Sequence, residues 1–144
     1  VKVWTEILIP DEVEDILVLP GGRTANRLLC LEPNKLKIIK AAAQEADICM
    51  MIANGSSVLA QTGLLYHRQI ADYPGEENWK RMFTAEIRRG QNAKWISDGK
   101  YYSSSSTMAG FDMALGVISD MVDIELAVHI ANELGYEWNQ EMIF

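Results

Sequence analysis

A segment in the middle of the chain constrains the fold most, because it predicts a buried strand that turns sharply into a helix. Residues 48–52, Ile-Cys-Met-Met-Ile, form an unbroken apolar run, which is typical of a strand buried on both faces of a parallel sheet. A tight turn at 53–55 follows, and 56–62 suits a helix that ends at Gly63. Enzymes with α/β folds lift a nucleophilic Ser or Cys above the sheet on such a corner. Here the corner residue is Ala53, which has no nucleophilic atom.

The rest of the chain alternates between short apolar runs and helix-period patterns, which is typical of an α/β fold with a mostly parallel sheet. The charged side chains of 76–89 are expected on a solvated helix face. Asp98 and Gly99 predict a tight antiparallel hairpin between 94–97 and 101–104. The other predicted strands are 1–5, 16–19 and 68–72, and the predicted helices are 24–31, 34–46, 76–89, 108–121 and 124–134.

Length, charge and cysteine content narrow the class of protein. The 144 residues are expected to form one domain, and the net charge of −7 argues against a nucleic-acid surface. No apolar run reaches membrane-spanning length. Cys30 and Cys49 form no paired motif, and His67 and His129 lack the spacing of metal ligands. We therefore expect a cytoplasmic protein with reduced thiols that has no metal, no cofactor and no nucleic-acid or membrane partner.

Candidate site residues lie where the predicted parallel strands end, because ligands bind above the carboxyl ends of strands in such sheets. Asp72 and Tyr73 carry a carboxylate and a phenol, which can both do acid–base work, or they form a polar strand end without a function. Asn54 offers a backbone amide, or it simply tolerates the strained turn. The residues at these strand ends are Gly21, Gly22, Ala53, Asn54, Asp72 and Tyr73.

A run of four serines at 103–106 precedes the predicted helix 108–121. Ser104 and Ser105 are candidates to hydrogen-bond the oxygen atoms of a ligand. Capping of the helix is the other interpretation of this run, since serine is a preferred N-cap residue. The sequence leaves both interpretations open.

Four segments, in order along most of the chain, carry a family resemblance. They are Asp-Ile-Leu-Val-Leu-Pro-Gly-Gly at 15–22, Leu-Ala-Gln-Thr-Gly-Leu-Leu at 59–65, Trp-Ile-Ser-Asp-Gly-Lys-Tyr-Tyr at 95–102 and Ala-Gly-Phe-Asp at 109–112. Together they resemble the DJ-1/PfpI (ThiJ) family of the class I glutamine-amidotransferase-like superfamily. The resemblance implies a flavodoxin-like three-layer sandwich that is often dimeric. It also implies a first strand–helix unit before Val1, so we expect the single domain 1–144 to be N-terminally incomplete.

The family's usual site consists of a Cys at the corner, a His after the following strand, an acid from the first helix and two backbone N–H groups. The sequence departs from this pattern, because the resemblance places Ala53 at the Cys position and Tyr73 at the His position. No catalytic residue is therefore assured. The N–H groups of Gly21 or Gly22 and of Asn54 would survive as donors to a ligand.

Three hypotheses follow from these departures. The first is a small-molecule binding or regulatory module, a homodimeric pseudoenzyme that takes a carbonyl or anionic compound. The second is a hydrolase or lyase of the protease/amidase, glyoxalase or hydratase type, in which Asp72 or Tyr73 activates water. The third is the ligand-sensing domain of a transcription regulator. Whether the chain is an enzyme stays open at this point.

Overall fold

The computed structural model describes residues 1–13, 15–83 and 86–140, and it places most predicted elements near their expected bounds. Short 3-10 turns lie at Pro10–Glu12 and Arg81–Phe83. The strands are β1 (Ile16–Leu19), β2 (Ile48–Ile52), β3 (Gln69–Ala71), β4 (Arg88–Gly90), β5 (Trp95–Asp98) and β6 (Tyr101–Ser104). The helices are α1 (Arg23–Cys30), α2 (Pro33–Glu45), α3 (Gly55–Ala60), α4 (Glu77–Lys80), α5 (Ala109–Met121) and α6 (Ile124–Glu133).

The main sheet has the strand order β1-β2-β6-β5. The first three strands are parallel, with Ile16 opposite Ile48 and Cys49 opposite Tyr101. The fourth, β5, is antiparallel to β6 and forms the hairpin predicted at Asp98 and Gly99. A second, two-stranded sheet pairs β3 with β4 in parallel. The mostly parallel sheet with one antiparallel hairpin is therefore confirmed.

Helices cover both faces of the main sheet because β2 is apolar on both sides. Cys49 and Met51 belong to a core cluster that includes residues of α2 and α3. Ile48 and Met50 point to the opposite face and pack with residues of α5 such as Met113. Successive side chains of a strand point to opposite faces, so an unbroken apolar strand needs cover on both. The three-layer α/β architecture that the sequence predicted is confirmed.

The first strand is covered on one side only. Leu17 and Leu19 are buried in the core beside α2 and α3. Ile16 and Val18, which alternate with them, are 42% and 47% exposed. Within the described residues, β1 is an edge strand of the sheet with an apolar outward face.

The predicted helix over 76–89 is wrong for most of its length. Only Glu77–Lys80 is α-helical, and Arg88–Gly90 forms β4, in which Arg89 lies opposite Ile70 of β3. The expected apolar stripe does not form one buried face, because Met82 is 68% exposed while Ile87 is buried. Strand pairing overrides the helical period here, and residues 84 and 85 lie outside the described residues.

The strand predicted over 1–5 is also wrong. Residues 1–9 have no regular secondary structure, and the Trp4 side chain is fully exposed. A strand needs a neighbour to receive its backbone hydrogen bonds, and no strand pairs with this segment within the described residues. No helix in the part of the chain that the structure describes is long and apolar enough to cross a membrane.

The packing of α5 on β5 gives a test of the fold. A Cβ atom at Gly116 would lie 2.8 Å from Cζ2 of Trp95 and closer still to Cη2. We therefore expect Gly116→Ala to lower the free energy of unfolding by about 1–3 kcal/mol through overpacking. Gly110 on the same helix is the matched control, since its added Cβ would meet nothing nearer than Ile52 Cγ2 at 3.5 Å.

Gly110→Ala is expected to leave stability unchanged or to raise it by up to about 1 kcal/mol, because alanine favours the helical state. Urea denaturation of the two variants measures the difference. Equal stabilities would show that α5 does not pack on Trp95 in this way.

Candidate functional site

The strand–helix corner has the strained backbone that its sequence predicted. Ala53 adopts a left-handed conformation with φ of 49°, between the end of β2 and the start of α3. A left-handed alanine costs energy and is held only by its surroundings. Gly55 supplies part of that support, because a Cβ there would collide with the Leu19 carbonyl oxygen and lie 3.0 Å from that of Pro20. The end of β1 and the corner are thus in direct backbone contact.

Asn54 joins the loop after β1 to the corner. Its Oδ1 accepts a hydrogen bond from the N–H of Gly22 at 2.8 Å. Asn26, which the sequence analysis did not single out, donates from Nδ2 to the backbone oxygens of Pro20 and Asn54 at 3.2 and 3.3 Å. The Gly22 N–H is therefore already used. Among the described residues, the N–H groups of Gly21 and Asn54 donate no hydrogen bond.

A cavity of about 270 Å³ opens at this corner and is called the corner cavity below. It brings together four residues that the sequence placed in the site, Ala53, Asn54, Tyr73 and Ser105. Gly21 lies just behind it, since an added Cβ would be 3.4 Å from that of Ala53. The residues that line it are Arg23, Ala53, Asn54, Tyr73, Pro74, Glu76, Ser105, Ser106 and Thr107.

Some residues of the serine run line the corner cavity, and others make hydrogen bonds that support the fold. Ser104 is fully buried, and its Oγ donates to the backbone oxygen of Ser106 at 3.0 Å. The backbone oxygen of Ser104 accepts the N–H of Ala53 at 3.1 Å. Ser106 Oγ accepts the N–H of Ala109 at 3.1 Å and so caps the start of α5. Ser105 and Ser106 line the corner cavity, whereas Ser104 supports the corner from behind.

Tyr73 is buried, and its hydroxyl makes no hydrogen bond of full geometry among the described residues, although the side chains of Glu76 and Ser57 lie close enough to affect its ionisation. Burial, together with the nearby Glu76 carboxylate, raises the pKa of Tyr73 to about 12. The guanidinium of Arg89 acts in the opposite direction and lowers it. The phenol is thus neutral at physiological pH, where its hydroxyl is able to donate a hydrogen bond.

Glu76 is the site residue that sequence reasoning missed. Its side chain is only 3% exposed, and Oε1 pairs with Nε of Arg27 at 3.0 Å. Its Oε2 is buried and has no hydrogen-bond partner among the described residues. Gly75 (φ 84°) and Glu76 (φ 58°) both adopt left-handed backbone conformations and form a sharp turn before α4. The Pro-Gly pair at 74 and 75 was the available signal, but Glu76 was expected on a solvated face, and that expectation is wrong.

Asp72 does not line the corner cavity. Its Oδ1 accepts a hydrogen bond from Nζ of Lys80 at 3.0 Å and lies 3.9 Å from Nη1 of Arg89. It lines a separate cavity of about 400 Å³, called the arginine cavity below. Adjacent residues at a strand end point to opposite sides, so Tyr73 faces the corner and Asp72 faces away from it.

Neither cysteine is placed or activated as a substitute nucleophile. Burial raises the pKa of the Cys49 thiol, whose Sγ lies 3.5 Å from the backbone oxygen of Ala43. Burial also raises the pKa of Cys30, and the charge of Glu76 adds to that effect. A thiol with a raised pKa is a poor nucleophile at neutral pH. Within residues 1–13, 15–83 and 86–140, no three His, Cys, Asp or Glu side chains cluster so as to hold a metal ion.

Comparison with known proteins decides the family. The family model described as DJ-1/PfpI matches residues 3–120. The chain belongs to the DJ-1/PfpI family. Curated relatives include the zebrafish Parkinson disease protein 7 homolog, 22% identical over 81% of this chain, and a deglycase from Pyrococcus abyssi, 34% identical over 66% of it. The chain spans 60% and 54% of the lengths of these two DJ-1/PfpI relatives.

Solved structures of DJ-1 proteins share the fold. A cysteine-to-alanine mutant of a DJ-1 superfamily protein from Salmonella typhimurium superposes with a TM-score of 0.71 at 24% identity, over 85% of this chain and 65% of that one. Drosophila melanogaster DJ-1beta gives 0.71 at 17% identity, over 85% and 64%. An AraC family transcriptional regulator from Pseudomonas putida gives 0.63 at 18% identity, over 72% and 56%. At these identities the likeness extends to the fold alone.

The surroundings of Tyr73 predict how its ionisation responds to mutation. We expect the Tyr73 phenol to stay protonated at pH 11, where an ordinary tyrosine with a pKa of 10 is mostly ionised. Glu76→Gln removes a negative charge and should lower the pKa of Tyr73, whereas Arg89→Gln removes a positive charge and should raise it. NMR of ring-labelled tyrosine measures each pKa, with Glu77→Gln as the matched control one residue away.

The same shift predicts a dependence of stability on pH. Below pH 10 Tyr73 is protonated in both the folded and the unfolded chain, so it adds no slope. Between pH 10 and about 12 the unfolded chain loses this proton first, so the free energy of unfolding falls as pH rises. Tyr73→Phe should flatten that fall in urea denaturation. An unchanged slope would mean that Tyr73 is not buried beside Glu76.

Proposed function

We propose that this chain is a DJ-1/PfpI domain without the family's standard Cys–His site, and that it works as a small-molecule binding or regulatory module. The observation that carries the proposal is the corner cavity, in which Ala53 offers no nucleophile while Glu76 Oε2 and Tyr73 Oη lack partners among the described residues. Covalent catalysis through a thiolate has no starting atom at such a corner.

The unsatisfied groups favour a particular ligand chemistry. Buried polar atoms without hydrogen bonds destabilise a protein, so a ligand that pairs with them gains affinity. Glu76 Oε2 requires a donor, the Tyr73 hydroxyl can donate, and the N–H of Asn54 can donate to a carbonyl oxygen. A small carbonyl compound that also carries an N–H or O–H group meets all three demands. A free anion would meet two opposing charges in this cavity, because the Glu76 carboxylate repels it and the Arg23 guanidinium attracts it.

The homodimer, which the family resemblance implies, and the cytoplasmic location, which the unpaired cysteines predict, belong to the same proposal. The regulator hypothesis needs DNA-binding residues outside 1–144 or on a partner protein, and it stays a prediction. The fold likeness to the Pseudomonas putida regulator leaves this hypothesis open without adding to it, since the two chains are 18% identical.

A water-activating enzyme is the second candidate, and the Glu76 carboxylate is the observation that favours it. In that reaction Glu76 takes a proton from water, the water oxygen bonds to the substrate carbonyl carbon, and Tyr73 donates a hydrogen bond to the oxygen that gains charge. Asp72, the other residue predicted for this role, lines the arginine cavity instead. One relative is named a deglycase, and the second hypothesis includes an enzyme of the glyoxalase type. A glyoxal is therefore one suitable probe for this chain.

Turnover and binding assays on one set of variants distinguish the two candidates. The probes are methylglyoxal and acetamide, and the variants are Glu76→Gln and Tyr73→Phe with the exposed controls Glu77→Gln and Tyr66→Phe. We expect no turnover above buffer, and binding seen by NMR that weakens about tenfold in both cavity variants and in neither control.

Turnover that Glu76→Gln abolishes would replace the binding module with the enzyme. Binding that neither Glu76→Gln nor Tyr73→Phe affects would contradict both candidates, because it would place the ligand outside the corner cavity. Thermal unfolding of each variant confirms that the chain is folded, so a lost signal reports on the cavity itself.

A further inference from the structure

Arg89 carries a buried charge that the fold leaves without hydrogen bonds. Its side chain is 11% exposed, and its Nε, Nη1 and Nη2 atoms are buried with no hydrogen-bond partner among the described residues. The carboxylate of Asp72 is 3.9 Å from Nη1, well beyond the roughly 2.8 Å of a charge-assisted hydrogen bond. Burial also lowers the pKa of Arg89, which reflects the cost of a charge taken out of water.

The ammonium group of the neighbouring Lys80, by contrast, has a hydrogen-bond acceptor for each of its N–H groups. Its Nζ lies 3.0 Å from Asp72 Oδ1, 2.8 Å from the backbone oxygen of Tyr73 and 2.9 Å from Glu77 Oε1. An ammonium group has three N–H donors, and all three have acceptors here. These three oxygen atoms approach Lys80 at 2.8–3.0 Å, and none of them accepts a hydrogen bond from the guanidinium of Arg89.

The arginine cavity is suited to supply the missing acceptor. Four cations and two carboxylates line it, so its formal charge is positive. A guanidinium fork matches the two oxygens of a carboxylate or phosphate group. The Tyr73 ring lies 5.7 Å from the guanidinium and accepts none of its N–H groups as a full hydrogen bond. The lining residues are Asp72, Glu77, Lys80, Arg81, Ile87, Arg88, Arg89 and Gln91.

We propose that the arginine cavity binds a small oxyanion, the phosphate or carboxylate group of a ligand, through the guanidinium of Arg89. This site is separate from the corner cavity, because the two cavities share no lining residue. It neither requires nor uses the ligand proposed for the corner.

Anion titrations of the whole chain test the site. The probes are inorganic phosphate and acetate, each compared with sodium chloride at equal ionic strength, and the readouts are thermal unfolding and the amide NMR signals of β4. We expect phosphate, acetate or both to raise the unfolding temperature of the protein and to shift those signals. A response to phosphate alone identifies a phosphate ligand, and a response to acetate identifies a carboxylate.

Arg89→Lys keeps the charge but loses the fork, and it should weaken anion binding about tenfold. Lys35→Gln removes an exposed positive charge on α2, outside both cavities, and should bind the anion as the unmodified protein does. Arg89→Met removes a charge that has no hydrogen-bond partner among the described residues, so in anion-free buffer it should be at least as stable as the unmodified protein and should show no anion response.

No response beyond chloride, or anion binding that survives Arg89→Lys and Arg89→Met, would overturn the site. Loss of stability in Arg89→Met without anion would also overturn it, because the guanidinium would then already be satisfied by the fold. These results do not bear on the corner cavity, where methylglyoxal and acetamide are tested against Glu76 and Tyr73.

Discussion

The backbone contact between Gly55 and the end of β1 is the constraint on which the corner depends. Only glycine allows the start of α3 to approach the Leu19 carbonyl oxygen so closely. That approach brings Asn54 within hydrogen-bond distance of the Gly22 N–H, which it then occupies. The N–H groups of Gly21 and Asn54 donate no hydrogen bond within the described residues. The arrangement of backbone N–H groups at the corner thus depends on backbone contacts. It does not require a nucleophilic side chain at Ala53.

The layers of the fold were predictable because they follow from apolar patterns. The unbroken run of β2 requires cover on both faces, and helices on both sides of the sheet supply it. The hairpin at Asp98 and Gly99 was equally predictable, since a left-handed glycine, with φ of 62°, completes the tight turn. The region 76–89 was not, because its charged residues fit a solvated helix as well as they fit a short strand. Pairing with β3 favours the strand over the helix at 88–90. Such pairing is a contact between distant parts of the sequence, which the local pattern does not indicate.

The corner residues could be predicted because they follow predicted strands. The burial of the two charged groups could not be predicted, because residue type alone does not indicate it. Glu76 and Arg89 are residue types that usually face solvent, and nothing local marks them as buried. The left-handed turn at Gly75 and Glu76 directs the Glu76 side chain inward. The register of β4 on β3 buries the side chain of Arg89. Asp72 was expected beside Tyr73 because the two are neighbours in sequence. Their opposite orientations separate them into different cavities.

The strand end at Asp72 and Tyr73 therefore separates two cavities of the described structure, one with an unpaired hydrogen-bond acceptor and the other with unpaired donors. On one side, a carboxylate oxygen of Glu76 lacks a donor; on the other, the guanidinium of Arg89 lacks an acceptor. The two groups would neutralise each other if they met, but each lines a cavity that the other does not reach. The charge of each reaches Tyr73 from its own side, one raising and one lowering its pKa. Two ligands of different chemistry, a donor-bearing carbonyl compound and an oxyanion, follow from this separation more directly than one ligand that spans both.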